Sequence, residues 1–329
     1  MRISLFLLGL LIIGTTQAQQ LPQFSQVALN RSLYNPAFIG DEQATILTLG
    51  GRWQMIGFGQ EPQSAFLNFE KNLTMKPKPI YNPYMRISVP IEEGLKPKKS
   101  KFSHSVGGQL STDKYGAFRS FQLAGLYAAH YRFTNSLKIS GGLKLGVSNN
   151  GFDADKAKVL NLQNPENPYA GGDAEYDQFV SGKWNTNIIN LGAGINLQYE
   201  NFFISAAANQ LTKDVIRFGN SNVNFNLKSH LFLITGYTFE LRSEVKLKTT
   251  AVVKVMQPAP TSFEFSAIAE IGSALFAGLT YHHNASAGLI VGFQVNEKFR
   301  VGYALDVPTT RIYKSSLGGH ELVLNYRFK

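Results

Sequence analysis

The sequence predicts an all-β chain: a transmembrane antiparallel β-barrel of about 14 strands, with short periplasmic turns and longer extracellular loops. Three observations predict it. Charged residues are 16% of the 329 residues while Phe, Tyr and Trp are 12%, against about 25% charge in typical soluble proteins. Beyond the N-terminal leader no apolar run approaches the roughly 18 residues of a spanning helix. Instead, apolar residues recur at every second position in many separate segments, the period of a strand with one apolar face.

The elements follow in chain order. Met1-Arg2 is a short positive start, Ile3–Ile13 is an apolar core too short to span a bilayer, and Thr16-Gln17-Ala18 offers small residues at the two positions read by signal peptidase. Residues 1–18 therefore read as a secretory signal peptide, with Gln19 as the mature start and a mature net charge of +9. Cys is absent, which excludes a disulfide framework, a thiol nucleophile and a Cys-based zinc site. Residues 19–43 read as an N-terminal segment lying in the periplasm or the lumen, and 44–329 as the barrel.

Strands are expected at 44–53, 63–70, 102–113, 118–133, 137–150, 184–200, 202–211, 229–241, 244–257, 262–271, 274–282, 285–295, 299–306 and 318–328. In the fifth, Leu137, Ile139, Leu143, Leu145 and Val147 alternate with Lys138, Ser140, Gly142, Lys144 and Ser148. In the sixth, Ile189, Leu191, Ile195 and Leu197 alternate with Asn190, Gly192, Asn196 and Gln198; in the last, Leu322, Leu324, Tyr326 and Phe328 alternate with Glu321, Asn325 and Arg327. A soluble sandwich shows the same alternation, so connection lengths carry more weight. With both termini in the periplasm, Thr134-Asn135-Ser136, Glu200-Asn201, Arg242-Ser243 and Asn296-Glu297-Lys298 are inner turns, and 151–183, 212–228 and 307–317 are outer loops. An even strand count and longer outer loops are the rule for bacterial single-chain barrels.

Charges sort by face. A tight turn at Arg242-Ser243 sets Glu240 opposite Lys246, and a turn centred on Ala259 sets Lys254 opposite Glu264. Opposed charges across a ladder are favourable by about 0.2–1 kcal/mol, whereas a charge facing lipid near the midplane costs about 2–4 kcal/mol. Lys246, Lys248, Lys254, Glu240 and Glu264 are therefore expected in the lumen. Arg132 falls opposite Lys138, which calls for a lumen acid that local spacing does not name. One inner connection breaks the short-turn rule: 72–101 carries Lys76, Lys78, Arg86, Lys96, Lys98, Lys99 and Lys101 against Glu92 and Glu93, a net +5. It reads as a solvated or lumen-filling loop, or as a dock for an acidic periplasmic partner or anionic headgroups, with Tyr84–Val89 a further strand candidate. It lacks the interleaved aromatics of a nucleic-acid surface, and an exported chain is not expected to meet nucleic acid.

Catalytic and metal motifs are not found. His320-Glu321 starts like a zinc-protease motif, but no second His follows. His282-His283 are adjacent on a strand and point to opposite faces. Asp153, Asp155, Asp173, Glu175 and Asp177 lack the Gly and terminal Glu of a calcium loop. No Ser context accompanies any of the six His, and phosphate or dinucleotide loops are absent. No catalytic residue, metal ligand or cofactor is expected, and the chain does not read as an enzyme.

Pro22-Gln23-Phe24-Ser25-Gln26, then Asn30, then Asn35-Pro36-Ala37-Phe38-Ile39-Gly40 resemble the opening of the PorP/SprF family of type IX secretion outer-membrane proteins. The resemblance continues at Arg52-Trp53-Gln54, at Asp113-Lys114-Tyr115-Gly116, at Leu247–Gln257 with Lys254, at Gly302–Asp306 and at Gly318-Gly319-His320-Glu321-Leu322, departing at Ala304, Leu305 and Gly319. It implies an outer-membrane barrel of the type IX secretion and gliding machinery, a docking or anchoring platform for secreted surface proteins. The implied partners are outer-membrane lipids, type IX components, a surface adhesin or its C-terminal domain, and a periplasmic peptidoglycan-associated protein. Pro22, Gln23, Phe24, Ser25, Gln26, Asn35, Pro36, Gly40, Asp113, Gly116, His320 and Glu321 are the motif positions, expected to seat the N-terminal segment or to dock a partner. Barrel size leaves a porin-like or FadL-like solute transporter as the alternative, although 19–43 is short for the plug of fatty-acid transporters.

Overall fold

The structure is a computed structural model, and it describes residues 24–41, 44–57, 61–73, 101–153, 184–212, 215–217, 224–226, 228–256, 259–272 and 274–328. Fourteen strands close an antiparallel barrel: β1 (Thr45–Trp53), β2 (Gln63–Asn72), β3 (Phe102–Tyr115), β4 (Phe118–Arg132), β5 (Leu137–Phe152), β6 (Trp184–Tyr199), β7 (Phe202–Asn209), β10 (His230–Arg242), β11 (Val245–Val255), β12 (Ser262–Ile271), β13 (Leu275–His282), β14 (Ser286–Gln294), β15 (Phe299–Pro308) and β16 (Gly319–Phe328). Each pairs with its chain neighbour, and β1 closes the ring on β16, with Arg52 opposite Glu321 and Trp53 opposite His320. Among the described residues two further strands, β8 (Val215–Arg217) and β9 (Asn224–Asn226), form a separate small hairpin inside the expected 212–228 loop. Among the described residues no helix is long and apolar enough to cross a membrane.

The barrel is built inside out relative to a soluble protein. On β5 and β6 the outward Leu143 is 62% exposed while the inward Asn190 is 2% exposed. Exposed apolar faces and buried Asn, Gln, Ser and Thr are the arrangement a hydrocarbon solvent imposes on a closed sheet, whose ladder leaves no edge to satisfy. Exposed aromatics collect at both rims: Tyr131, Tyr199, Phe239 and Phe328 at the rim that carries the ends of β1 and β16 nearest the termini, and Trp53, Tyr115, Phe118 and Tyr281 at the far rim. Aromatic girdles at the two interfaces are expected of such barrels.

Local chemistry sets the tight turns. Thr134 Oγ1 accepts from the N–H groups of Ser136 (3.2 Å) and Leu137 (3.0 Å), and Asn296 Oδ1 from those of Lys298 and Phe299 (2.9 Å each); side-chain oxygens that mimic a backbone turn hold such short connections. Gly116 opens the β3–β4 turn at φ +56°, a region open to Gly at no steric cost. That far-rim turn, and the one at 283–285, are as short as the near-rim turns, so the expected contrast in loop length does not hold for every hairpin.

Candidate functional site

Residues 24–41 lie inside the barrel as three short helical turns, Val27–Leu29, Arg31–Tyr34 and Pro36–Phe38. They run along the lumen from the far-rim ends of β1, β15 and β16 to the near-rim ends of β2, β3 and β5. This segment, with the charges that hold it, is the candidate site.

At one end lies a clasp of buried charges. Glu321 Oε2 and Oε1 accept from the backbone N–H groups of Ser25 (2.6 Å) and Gln26 (3.1 Å). Arg52 bridges Asp306 (2.9 Å) and Glu321 (3.4 Å) and donates to Ser25 Oγ (2.8 Å), which in turn donates to Asp306 (2.5 Å). His282 Nε2 stands 3.3 Å from Ser25 Oγ, and its Nδ1 stands 3.4 Å from Glu264 Oε2, which also binds Lys254 at 2.8 Å. Lys254 Nζ lies 5.3 Å from the centre of the Tyr34 ring. Burial, with Glu264 adding to it, pushes the Tyr34 phenol well above its ordinary value. It stays protonated, accepting from Phe24 N–H at 2.9 Å. Phe24 packs edge-on against Phe66, ring centres 4.7 Å apart.

At the other end the chain sits in a notch made by glycines. A Cβ at Gly142 would lie 2.7 Å from Ala37 Cα, and one at Gly194 2.7 Å from Asn35 Cγ. Asn35 Nδ2 donates to the carbonyls of Ile195 (3.0 Å) and Ala206 (3.3 Å), and its Oδ1 accepts from Ala37 N–H (2.8 Å), capping the turn that Pro36 begins. Gly40, at φ +68°, donates to Glu70 (3.1 Å) and accepts from Asn72 (3.1 Å); Ser32 Oγ also donates to Glu70. Asp41 binds Lys138 at 2.7 Å. This is the acid that the Arg132–Lys138 pairing called for. Phe38 and Tyr34 join Val27, Phe232, Ile234 and Val252 in an apolar cluster inside the lumen.

The motif positions thus divide. Phe24, Ser25, Gln26, Asn35, Pro36, Gly40 and Glu321 meet in the lumen contacts, together with Arg52 and Asp306. Asp113 accepts from Ser64 (2.5 Å) on the inner wall, and His320 faces outward against Tyr303 OH (2.5 Å), apart from the segment. Pro22, Gln23, residues 1–18, which read as a signal peptide in the sequence, and most of 72–101, 151–183 and 212–228 lie outside the described residues. Glu240 and Lys246 pair across β10 and β11 at 3.3 Å but stand at the near rim, with side chains 57% and 49% exposed. Lys248 binds Glu270 at 2.8 Å, a partner not foreseen. Lys254 does not stand opposite Glu264: the register sets it against Ser262, and Glu264 against Val252. The turn centres one residue earlier than Ala259, which moves every partner by two and so keeps the face; the ion pair forms on the diagonal. Asp41, Ser32, Glu70 and Asn209, which donates to Tyr34 O at 2.9 Å, escaped the sequence reading. The inward glycines Gly142 and Gly194, out of place on a polar face, were the available signal.

Ser25, His282 and Glu264 follow the order hydroxyl, imidazole, carboxylate. The Ser25 hydroxyl is fully buried, donates to Asp306 and accepts from Arg52, so its hydrogen bonds tie the segment to the barrel wall. Among the described residues no three His, Asp or Glu side chains cluster to hold a metal.

The family described as "Type IX secretion system membrane protein PorP/SprF" matches residues 16–326. The chain belongs to the PorP/SprF family. Its fold is that of an outer-membrane barrel. No functionally curated protein matches it. Similar solved structures include the CymD monoaromatic hydrocarbon channel (TM-score 0.50, 12% identity, 93% of this chain and 94% of that one). A Pseudomonas aeruginosa FadL homologue (0.47, 10%, 94% and 95%) and the Ralstonia pickettii toluene transporter TbuX (0.46, 13%, 90% and 93%) are also similar. At such identities the likeness concerns the fold alone.

Proposed function

We propose that this PorP/SprF barrel is a non-enzymatic docking or anchoring platform for secreted surface proteins, working with the type IX machinery in the outer membrane. The signal peptide at 1–18 delivers it, the far-rim connections 151–183, 212–228 and 307–317 are its extracellular contact surfaces, and periplasmic components, among them a peptidoglycan-associated protein, meet the near rim and the basic 72–101 segment. The observation that carries this reading is the chain's own segment 24–41 gripped in the lumen by buried charge. A barrel that spends its lumen contacts on its own N-terminus acts through its rims and loops rather than as an open conduit. In this reading the motif positions seat the segment and so fix the shape of the platform.

Removing the protein is expected to abolish surface retention or secretion of particular cargo, and co-purification in mild detergent to recover that cargo with type IX components. Normal cargo handling without the protein overturns the proposal. The alternative, a porin-like or FadL-like transporter, draws support from the barrel's likeness in fold to CymD. Stable conductance of the intact protein in planar bilayers favours it.

A further inference from the structure

Lys144 stands midway along β5, faces inward and is 8% exposed. Among the described residues it has no hydrogen-bond or ion-pair partner. Arg52, Lys138, Lys248, Lys254 and Arg300, by contrast, each hold a carboxylate within 2.9 Å. A buried ammonium without a counter-charge is strongly unfavourable.

The surroundings of Lys144 are equally incomplete. It lies opposite Gly192, which lies opposite Asn209. A Cβ at Gly192 would come 2.6 Å from Asn209 Oδ1 and 3.4 Å from Lys144 Cβ, so the amide oxygen leans over the glycine beside the lysine. One step toward the far rim the ladder runs Gln109, Ala124, Gly146, Asn190. Between its two amides stand only a methyl group and a glycine. Asn209 Oδ1, Asn190 Oδ1 and Gln109 Oε1 are all buried without a hydrogen-bond donor. Pro36 and Ala37 press on Gly142, one inward position nearer the termini, so Lys144 lies on the far-rim side of that contact. The wall therefore offers one unpaired cation and three unpaired acceptors around small residues, and orphan buried polar groups call for an explanation.

We propose that this stretch of the inner wall binds a carboxylate flanked by N–H or O–H donors. The carboxylate pairs with Lys144 Nζ, and the donors meet the oxygens of Asn190, Asn209 and Gln109. Two sources share that chemistry: the C-terminal residue of a peptide and an acidic sugar. The site is independent of the docking role.

The test uses the full chain in detergent, with an N-acetylated tripeptide against its C-terminal amide, and glucuronic acid against glucose. One of the two acids is expected to bind at least tenfold more tightly than its neutral twin, and that acid names the source. Lys144→Met is expected to erase the difference while raising the unfolding temperature, because an unpaired buried charge is removed. Lys246→Met, at the exposed rim, leaves the difference in place. Equal binding of each acid and its twin, or discrimination that survives Lys144→Met, overturns the proposal. A fall in unfolding temperature, or failure to fold, also overturns it, since the lysine is then satisfied from within the chain.

Discussion

Replacing Arg52 by methionine keeps most of the side chain's length and removes the cation between Asp306 and Glu321. Those carboxylates lie 2.9 and 3.4 Å from its guanidinium, and their side chains are 5% and 0% exposed. Without Arg52 two buried acids face each other with only serine and backbone donors between them. Breaking a buried pair by removing one partner costs about 3–5 kcal/mol, which at about 1.4 kcal/mol per tenfold is a factor of a hundred or more in the folding equilibrium. Glu321→Gln is milder. Its amide has one oxygen for the two N–H groups of Ser25 and Gln26 and no charge for Arg52, which keeps Asp306; losing a charged hydrogen bond costs about 1.5–3 kcal/mol. The double variant removes both charges together and should cost less than the sum of the singles, the signature of a shared network. Urea unfolding in detergent, followed by heat-modifiable gel mobility, measures the stability. Trypsin cleavage after Arg31 reports whether the segment has left the lumen. An Arg52→Met variant that loses less than about 1 kcal/mol and keeps the Arg31 bond protected refutes the clasp.

Gly142→Val drives a branched side chain into the backbone of Pro36 and Ala37; overpacking of this kind costs about 1–3 kcal/mol, and cleavage after Arg31 should accelerate. Lys246→Gln removes a pair that is half exposed and should change stability by less than about 1 kcal/mol in the same urea assay; a loss equal to that of Arg52→Met would erase the distinction between rim and clasp. Deleting 24–41 should open the lumen, read as a rise in conductance in planar bilayers over the intact chain; equal conductance would mean that the segment obstructs nothing. Leu143→Lys puts a charge on the lipid face at mid-strand, where Leu143 is 62% exposed, and should lower folding yield into lipid vesicles by a cost of about 2–4 kcal/mol.

The strands were legible because the side-chain period of a β-strand is two and the two solvents of this barrel differ sharply. Leu143 and Asn190 declare their faces with no tertiary information. Register was legible only as far as the turn. Glu240 and Lys246 flank a tight connection and pair as expected, while Lys254 and Glu264 flank a longer one and miss by two positions. A misplaced turn centre cannot move a residue to the other face unless it shifts by half a residue. That is why the ion pair survives the error. The short β8–β9 hairpin went unread because its strands span three residues each, too few for a period to appear.

The clasp was illegible for a different reason. Ser25 and Glu321 are 296 positions apart, and no local rule of period, cap or turn relates them. Only ring closure does: β16 must return to β1, so Arg52 and Glu321 become partners across the closing seam. The segment that precedes β1 then finds the last strands within reach. The matching positions Phe24-Ser25-Gln26, Arg52, Asp306 and Glu321, far apart in the chain, therefore meet at one place in space. Residues such as Asp41 and Glu70 carry no motif, yet they complete the same grip where the segment turns into β1. A segment fixed at the seam on one end and beside β1 on the other adds contacts on both sides of the β1–β16 junction. Loosening it should weaken barrel closure itself, and not only unblock the lumen.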